Sequence, residues 1–229
     1  MNRSSPDTDW SRLDIQALVR LRERWLCRGG AWKADLSLVR NGPAQAVLKD
    51  FTSKSALVRW IGRFQVSREA HVYAALSGLQ GVPRLLARPS PESLLLSYIE
   101  GRRLSKERGV PDASSLAEKL EHLIEQFHLR GVAHVDLRGR DNILVDGARQ
   151  VWVLDFGASW RRTPGGPMRR WLFSLGRRVD RAAILKWRLL LAPDSVSPRE
   201  RRRMALFQKW RRLWFLNPKG KSKAHGSSR

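Results

Sequence analysis

The stretch GVAHVDLRGRDNILV, from Gly131 to Val145, constrains this chain more than any other part of its sequence. It places a histidine, two aspartates and an asparagine in one short polar run, and the apolar run Ile143-Leu144-Val145 follows at once. Groups that bind cations or protons are costly beside a buried strand unless a ligand or a hydrogen bond compensates them. The stretch therefore predicts a site that handles a cation or a proton.

Three further motifs surround this stretch in a fixed order. Lys49 lies in the strand-like AVLKDF, Glu69 follows 20 residues later in a helical segment, and Asp155 follows an apolar run in VLDFG. Phosphoryl transfer from ATP needs a cation on the phosphates, carboxylate or amide oxygens on Mg²⁺, and a carboxylate near the attacking hydroxyl. With Asp136 and Asn142, the chain offers one candidate for each role.

In these motifs the chain resembles the protein-kinase-like superfamily, over roughly Gly29 to Gly157. AVLKDF is similar to the strand lysine motif, SREAHVYAAL to the helix with its glutamate partner, HVDLRGRDNILV to the catalytic loop and LDFG to the metal-binding motif. Within the superfamily it looks most like small bacterial members near the RIO kinases and the lipopolysaccharide core sugar kinases. The resemblance implies an α+β fold with a small β-rich N-lobe and a compact, mostly helical C-lobe.

The resemblance also implies a role for each matching residue. Lys49 would hold the α- and β-phosphates of ATP and pair with Glu69. Asp136 would accept or orient the acceptor hydroxyl, and Asp155 would bind Mg²⁺. Arg138 stands where these enzymes often carry a cation near the transferred phosphate, so a part in charge stabilisation is one interpretation and a structural role is the other.

The spacing leaves the second metal ligand open between two residues. The usual position, five residues after the catalytic aspartate, is Asp141, whereas Asn142 stands at six. Both side chains can coordinate Mg²⁺ through oxygen. Asn142 is favoured because it directly precedes the apolar strand, as the family asparagine does, in a loop one residue longer.

The glycine-rich loop expected above the phosphates is degenerate. The segment RGGAWKADLSLV supplies Gly29 and Gly30 but no full G-x-G-x-x-G. The two glycines could let the backbone approach phosphate, or could only shape a turn, and both interpretations stay open. Tyr98 and Ile99 fall in the segment that would link the lobes, where backbone groups would meet adenine.

Hydrophobic periodicity predicts the elements that carry these motifs. The expected order is a short helix over DIQALVRLRERWL, a hairpin of KADLSLVR and AQAVLKDF, a helix over about 54–79, a strand SLLLSYIEG, a helix capped by Ser114 or Ser115, and strands NILV and VWVLDF. The side chains predicted to face the core from the long helix are Leu57, Ile61, Phe64, Ala70, Tyr73 and Leu76. The predicted organisation is a disordered N-terminus at 1–12, the N-lobe at 13–99, the C-lobe at 100–216 and a basic flexible tail at 217–229.

Positive charge is concentrated at the C-terminal end of the sequence. Residues 161–229 hold 20 Lys and Arg against three acidic residues, in a chain of formal net charge +23. Large apolar residues are interleaved there with the cations: Trp171, Leu172, Phe173, Ile184, Leu185, Trp187, Leu206, Phe207, Trp210, Trp214 and Phe215. Three interpretations stay open: these residues complete the C-lobe core, enter the headgroup region of an anionic membrane, or contact RNA.

The function that these features favour is an ATP- and Mg²⁺-dependent kinase. It would transfer the γ-phosphoryl group to a hydroxyl of a protein Ser/Thr or of a sugar in a lipopolysaccharide-type glycolipid. The alternatives are a pseudokinase scaffold, suggested by the degenerate glycine loop, and a basic nucleic-acid-binding module. With Cys27 as its only cysteine and no long apolar run, the chain is expected to be cytoplasmic, with peripheral contact at the cytoplasmic face of the inner membrane.

Overall fold

A computed structural model of the protein describes residues 9–162 and 166–202. The strands are β1 Arg22–Cys27, β2 Asp35–Asn41, β3 Ala44–Asp50, β4 Leu85–Ser90, β5 Ser93–Ser97, β6 Arg102–Arg103, β7 Val132–Ala133, β8 Ile143–Val145, β9 Val151–Val153 and β10 Trp160–Arg161. The helices are α1 Ile15–Arg20, α2 Ala56–Ala75, α3 Ala113–Leu129 and α4 Pro167–Leu191. The predicted α+β class, with a β-rich first half and a mostly helical second half, is confirmed.

The N-lobe is an antiparallel sheet in the order β1-β2-β3-β5-β4. The predicted hairpin is present, because Asn41 pairs with Ala44 and leaves Gly42, at a φ of +58°, and Pro43 as the turn. One apolar cluster includes strand residues, the start of the chain and α1: Trp10, Leu18, Val39, Ala44, Ala46, Leu48 and Leu95. Both faces of the sheet are therefore covered, one by this apolar cluster and the other by α2.

Two predictions for the start of the chain are wrong. Trp10–Arg12 forms a 3-10 turn and Trp10 is buried, so disorder does not extend to residue 12, while residues 1–8 lie outside the described residues. The first helix ends at Arg20, and Arg22–Cys27 continues as β1 along the edge of β2. The apolar spacing there fits a helix, but the open edge of β2 offers backbone partners that the spacing does not reveal.

Helix α2 has two apolar faces, and the sequence analysis chose the wrong one in part. The buried residues are Val58, Gly62, Val66, Glu69, Val72 and Tyr73. Leu57, Ile61 and Phe64 are instead exposed, whereas Tyr73 and Leu76 are buried as predicted. Glu69 can be buried on this face because it pairs with Lys49 on β3, which offsets the cost of burying a carboxylate.

The C-lobe is built on α3 and α4, with β6-β8-β9 and β10-β7 as two small sheets. Asp112, not Ser114 or Ser115, precedes α3, and Gly131 follows the helix at a φ of +73°. In α4 Phe173, Ile184 and Trp187 are buried, whereas Trp171 and Leu172 are exposed. The predicted apolar residues that lie outside the described part of the chain are Leu206, Phe207, Trp210, Trp214 and Phe215.

Among residues 9–162 and 166–202, no helix is long and apolar enough to cross a membrane.

Candidate active site

Lys49 lies at the centre of the candidate site, on the inward face of β3. Its Nζ lies 2.7 Å from Oε2 of Glu69 on α2 and 2.9 Å from Oδ1 of Asp155 after β9. The Glu69 side chain is 1% exposed, whereas that of Asp155 is 55% exposed. The structure thus brings together three of the predicted residues, from two different halves of the chain, with the exposed carboxylate toward solvent.

The pKa shifts differ among the members of this cluster: burial raises the pKa of Glu69 above its ordinary value, although the Lys49 ammonium acts against it. Burial acts to lower the pKa of Lys49, but the carboxylates of Glu69 and Asp155 outweigh it, so the pKa lies above its ordinary value. Burial acts to raise the pKa of Asp155, but the Lys49 ammonium and the Gly157 N–H outweigh it, so the pKa lies below its ordinary value. Lys49 and Asp155 are therefore both charged at neutral pH.

The segment after β9 holds Asp155 in place through a cluster of aromatic rings around Phe156. Asp155 has a left-handed backbone, with a φ of 59°, and its Oδ1 accepts a hydrogen bond from the N–H of Gly157 at 3.3 Å. The ring of Phe156 lies 5.0 Å from Tyr73, 5.5 Å from Phe127 and 5.0 Å from His134, between ring centroids. Because Phe156 is fully buried among rings from α2, α3 and the loop after β7, Asp155 is directed toward Lys49.

The loop from Asp136 to Asn142 forms the C-lobe wall of the candidate site. Asn142 Nδ2 donates to the backbone oxygen of Asp136 at 2.9 Å and to its Oδ2 at 3.2 Å. The backbone oxygen of Asn142 accepts from the N–H of Leu154, the residue before Asp155, at 2.8 Å. Asp141 instead pairs with Arg103 at 2.8 Å, with 69% of its side chain exposed. The geometry therefore brings Asn142, and not Asp141, against Asp136.

The residues of this wall fit a hard cation such as Mg²⁺. Because Nδ2 of Asn142 makes both bonds to Asp136, the amide oxygen is directed away from that residue, and Asp155, which follows Leu154, has 55% of its side chain exposed. Mg²⁺ is coordinated by carboxylate and amide oxygens. A protein usually supplies only a few of these ligands, and water and phosphate oxygens complete the coordination shell. Within residues 9–162 and 166–202, no group of three or more His, Cys, Asp or Glu could hold a metal by itself.

Asp180 is a site-positioning residue that the sequence analysis missed. This carboxylate on α4 is fully buried and accepts from the backbone N–H of His134 at 2.8 Å and of Val135 at 2.7 Å. His128 Nε2 lies 3.0 Å from the same carboxylate. Val135 has a φ of 69°, which is strained for a β-branched residue and requires its surroundings to hold it. Asp180 therefore holds the turn that leads into Asp136.

A sequence signal for Asp180 does exist. It is the only acidic residue between Arg161 and Pro193, in a segment rich in arginine. An isolated carboxylate in such a basic segment indicates that its side chain has a specific partner within the fold.

The two glycines of the degenerate loop differ in their surroundings. Gly29 donates to Asp35 Oδ1 at 2.9 Å and accepts from Lys54 Nζ at 3.0 Å, and Lys54 also pairs with Asp35 at 2.8 Å. A Cβ on Gly29 would lie 2.3 Å from the backbone oxygen of Ala34, whereas one on Gly30 would meet nothing within 4 Å. Gly29 thus shapes a tight turn, held by a buried ion pair that the sequence analysis did not identify.

The remaining predicted residues have simpler environments. Arg138 is half-buried, two residues after Asp136, and its backbone oxygen accepts from Lys186 Nζ at 3.1 Å. Tyr98 and Ile99 are half-buried directly after β5, in the connection between the N-lobe sheet and β6.

The fold and the arrangement of these residues define a protein-kinase-like architecture, and comparison with solved structures confirms the fold. The chain is similar to the Rio2 kinase of Chaetomium thermophilum, solved as an ADP/Mg²⁺-phosphoaspartate complex, with a TM-score of 0.57 and 19% identity. The match covers 82% of this chain and 64% of that chain, so this protein spans less than two thirds of the Rio2 structure. No protein-family model and no curated protein matches the sequence.

Proposed function

We propose that the protein is an ATP- and Mg²⁺-dependent phosphotransferase that transfers the γ-phosphoryl group to a hydroxyl. The observation that carries this proposal is the position of Lys49 Nζ, 2.7 Å from Glu69 and 2.9 Å from Asp155. A buried ammonium held by two carboxylates from separate elements is a ready site for phosphate oxygens, with the exposed carboxylate available to a cation. The kinase-like fold supports the same function.

The proposed step uses one residue for each requirement of the reaction. The acceptor oxygen bonds to the γ-phosphorus while the bond from that phosphorus to the β,γ-bridging oxygen breaks, and ADP leaves with the electron pair. Asp136 takes the hydroxyl proton and passes it to water, while Lys49 holds the α- and β-phosphates. Asp155 and Asn142 would hold Mg²⁺, which neutralises phosphate charge when bound.

Other predicted residues have supporting parts in this proposal. Arg138, two residues after Asp136, would stabilise charge on the transferred group. Gly29 and Gly30 would cover the phosphates, and the backbone at Tyr98 and Ile99 would contact adenine. Asp141 is left out of the metal site, because its pairing with Arg103 supports a structural role.

The proposed acceptor is a hydroxyl on a protein Ser/Thr or on a sugar of a lipopolysaccharide-type glycolipid. We further propose that the basic C-terminal region contacts an anionic membrane peripherally, at the cytoplasmic face of the inner membrane. The support is that Trp171, 60% exposed, and Leu172, 38% exposed, follow the exposed Arg170 near the start of α4. Exposed aromatics beside arginines are typical of interfacial helices.

The test measures ATP binding and phosphate transfer by the full chain with Mg²⁺, using a protein acceptor and a lipopolysaccharide-type glycolipid. Lys49→Met and Asp155→Asn are each expected to lower turnover about 1000-fold, because each removes a charge on the phosphates or the metal. Lys106→Met, at an exposed lysine outside the site, is the matched control and should retain turnover.

Two results would contradict the proposal in different ways. Wild-type protein that binds ATP without turnover would be a pseudokinase scaffold. Protein that binds no nucleotide but binds RNA, with affinity falling steeply as salt rises, would be a nucleic-acid-binding module.

A further inference from the structure

The outer face of α2 carries an exposed apolar stripe that the proposed catalytic function does not use. Leu57 is 58% exposed, Trp60 57%, Ile61 42% and Phe64 61%. The spacing of these residues places all four on one side of the helix. Trp60 and Phe64 pack edge to face, with ring centroids 4.8 Å apart. A contiguous exposed apolar patch of this kind is typical of a surface that binds a protein or a membrane.

The charged groups beside this stripe have a net positive charge. Arg59 and Arg63 lie along one edge of it, and both contact the nearly buried carboxylate of Glu92, at 3.1 and 2.8 Å. One carboxylate between two guanidinium groups leaves a net positive charge at the edge of the stripe. The only acidic residue within α2 is Glu69, which is buried and paired with Lys49. The outer face of α2 therefore presents apolar side chains and cations, with no carboxylate of its own.

We propose that this outer face of α2 docks on an anionic lipid bilayer. Trp and Phe enter the headgroup boundary, and arginine side chains attract anionic lipid over a distance of about a Debye length. The chain as a whole, with a formal net charge of +23, is attracted to the same kind of surface.

Docking on this face would be communicated directly to the candidate active site. The same helix carries Glu69 on its inner side, 2.7 Å from Lys49, and Arg68, which donates to the backbone oxygen of Gly157. A bilayer that fixes the outer face of α2 therefore also fixes the contact of Glu69 with Lys49 and that of Arg68 with Gly157, two residues after Asp155. This second half of the inference rests on the proposed kinase function, whereas the docking itself does not.

The docking is tested with the full chain and vesicles of phosphatidylcholine and phosphatidylglycerol at a 3:1 ratio, measured by cosedimentation. The double variant Trp60→Ser/Phe64→Ser should lower vesicle partitioning about tenfold or more, since two interfacial aromatics are lost. Both side chains are exposed, so the substitutions empty no core position. Leu129→Ser is the matched control, because Leu129 is 76% exposed at the end of α3. This variant should bind the vesicles as wild type does.

Three outcomes would overturn the docking proposal. The double variant could bind vesicles as wild type does while Trp171→Ser binds them less, which would assign the membrane contact to α4 alone. Wild type could bind pure phosphatidylcholine equally well, which would remove the charge argument. Light scattering could show a dimer that the double variant abolishes, which would make the stripe a contact between copies of this chain.

The coupling has a separate readout. Wild-type ATP affinity or turnover should change when the mixed vesicles are added, and that of the double variant should not. If vesicles bind through α2 but ATP affinity and turnover are unaffected, the coupling is refuted and the docking stands. A chain with no kinase activity and normal vesicle binding would refute the proposed function while leaving the docking surface intact.

Discussion

The two walls of the candidate site are held in place by different means. On the N-lobe side, Lys49 and Glu69 fix each other through a direct contact of 2.7 Å between two members of the site. On the C-lobe side, Asp136 lies in a loop whose preceding backbone is fixed by Asp180, a residue of α4. One wall is organised by its own opposite charges, and the other depends on a buried carboxylate outside it.

This difference has an energetic basis. The contact between Lys49 and Glu69 joins β3 directly to α2, although burial still raises the pKa of Glu69 above its ordinary value. The loop before Asp136 contains a strained residue, Val135, and backbone N–H groups that only an external acceptor satisfies. The C-lobe wall should therefore respond more strongly to changes away from the site than the N-lobe wall does.

Replacing Asp180 is the change expected to have the largest effect on this comparison. Asp180→Asn exchanges one charged oxygen for an N–H that faces a backbone N–H, so the loop before Asp136 should shift. Turnover is expected to fall about 100-fold, the usual cost of a displacement near 1 Å, with little change in ATP affinity. Loss of charged hydrogen bonds should also lower the free energy of unfolding by about 2 kcal/mol.

The measurements are kcat, the Kd for ATP and a denaturant titration. Asp194→Asn, at an exposed aspartate after α4, serves as the control and should change none of them. If Asp180→Asn weakens ATP binding as much as turnover, the buried carboxylate supports the whole cleft and the contrast between its two walls disappears.

A smaller effect is expected from loosening the turn at Gly29. Lys54→Met removes the ammonium that bridges Gly29 and Asp35, at 3.0 and 2.8 Å. The Kd for ATP is expected to rise about tenfold, equivalent to about 1.4 kcal/mol, because the turn that is proposed to cover the phosphates loses the ammonium that holds it. Turnover at saturating ATP should be retained, since the wall around Asp136 is untouched.

Isothermal titration with ATP and Mg²⁺ measures this difference directly. Lys106→Met again provides an exposed lysine for comparison. An unchanged Kd in Lys54→Met would mean that the turn at Gly29 positions itself without the buried ion pair.

The smallest effect concerns the pH dependence of stability. His134 is fully buried; its Nε2 lies 3.0 Å from the backbone oxygen of Leu154, and its Nδ1 accepts from the N–H of Asp136 at 3.3 Å. Burial lowers the pKa of His134 from 6.5, against the charges of Asp180, Asp155 and Asp136. Below pH 6.5 the unfolded chain therefore binds more protons at this residue than the folded chain does. The free energy of unfolding consequently decreases as the pH is lowered, by at most about 1.4 kcal/mol for each pH unit.

Denaturant titrations between pH 7 and pH 5 check this prediction. His134→Gln should show a shallower fall in the free energy of unfolding than wild type, because the titrating ring is absent. The pH-dependent difference separates titration from the lost contact with Phe156, which does not vary with pH. Parallel curves for the two proteins would assign the acid sensitivity to other groups.

The motifs were predictable because they depend on neighbours along the chain. Asp136 and Asn142 were found from the short polar run before an apolar strand, and the structure brings them together. The hairpin of β2 and β3 followed from its turn residues and the apolar runs on either side. Where a residue depends on distant partners, as at β1 and on the outer face of α2, the local pattern predicted the wrong environment.

The sequence by itself determined the kinase-like fold class, the order of the site residues and the concentration of positive charge, because these are encoded in short motifs and composition. Only the tertiary structure decided which face of α2 is buried, which of Asp141 and Asn142 faces Asp136, and that Asp180 holds the loop. Each of these depends on a contact between residues far apart in the chain. Such contacts are chosen by the burial and pairing of charges in the folded protein, and no local periodicity records them.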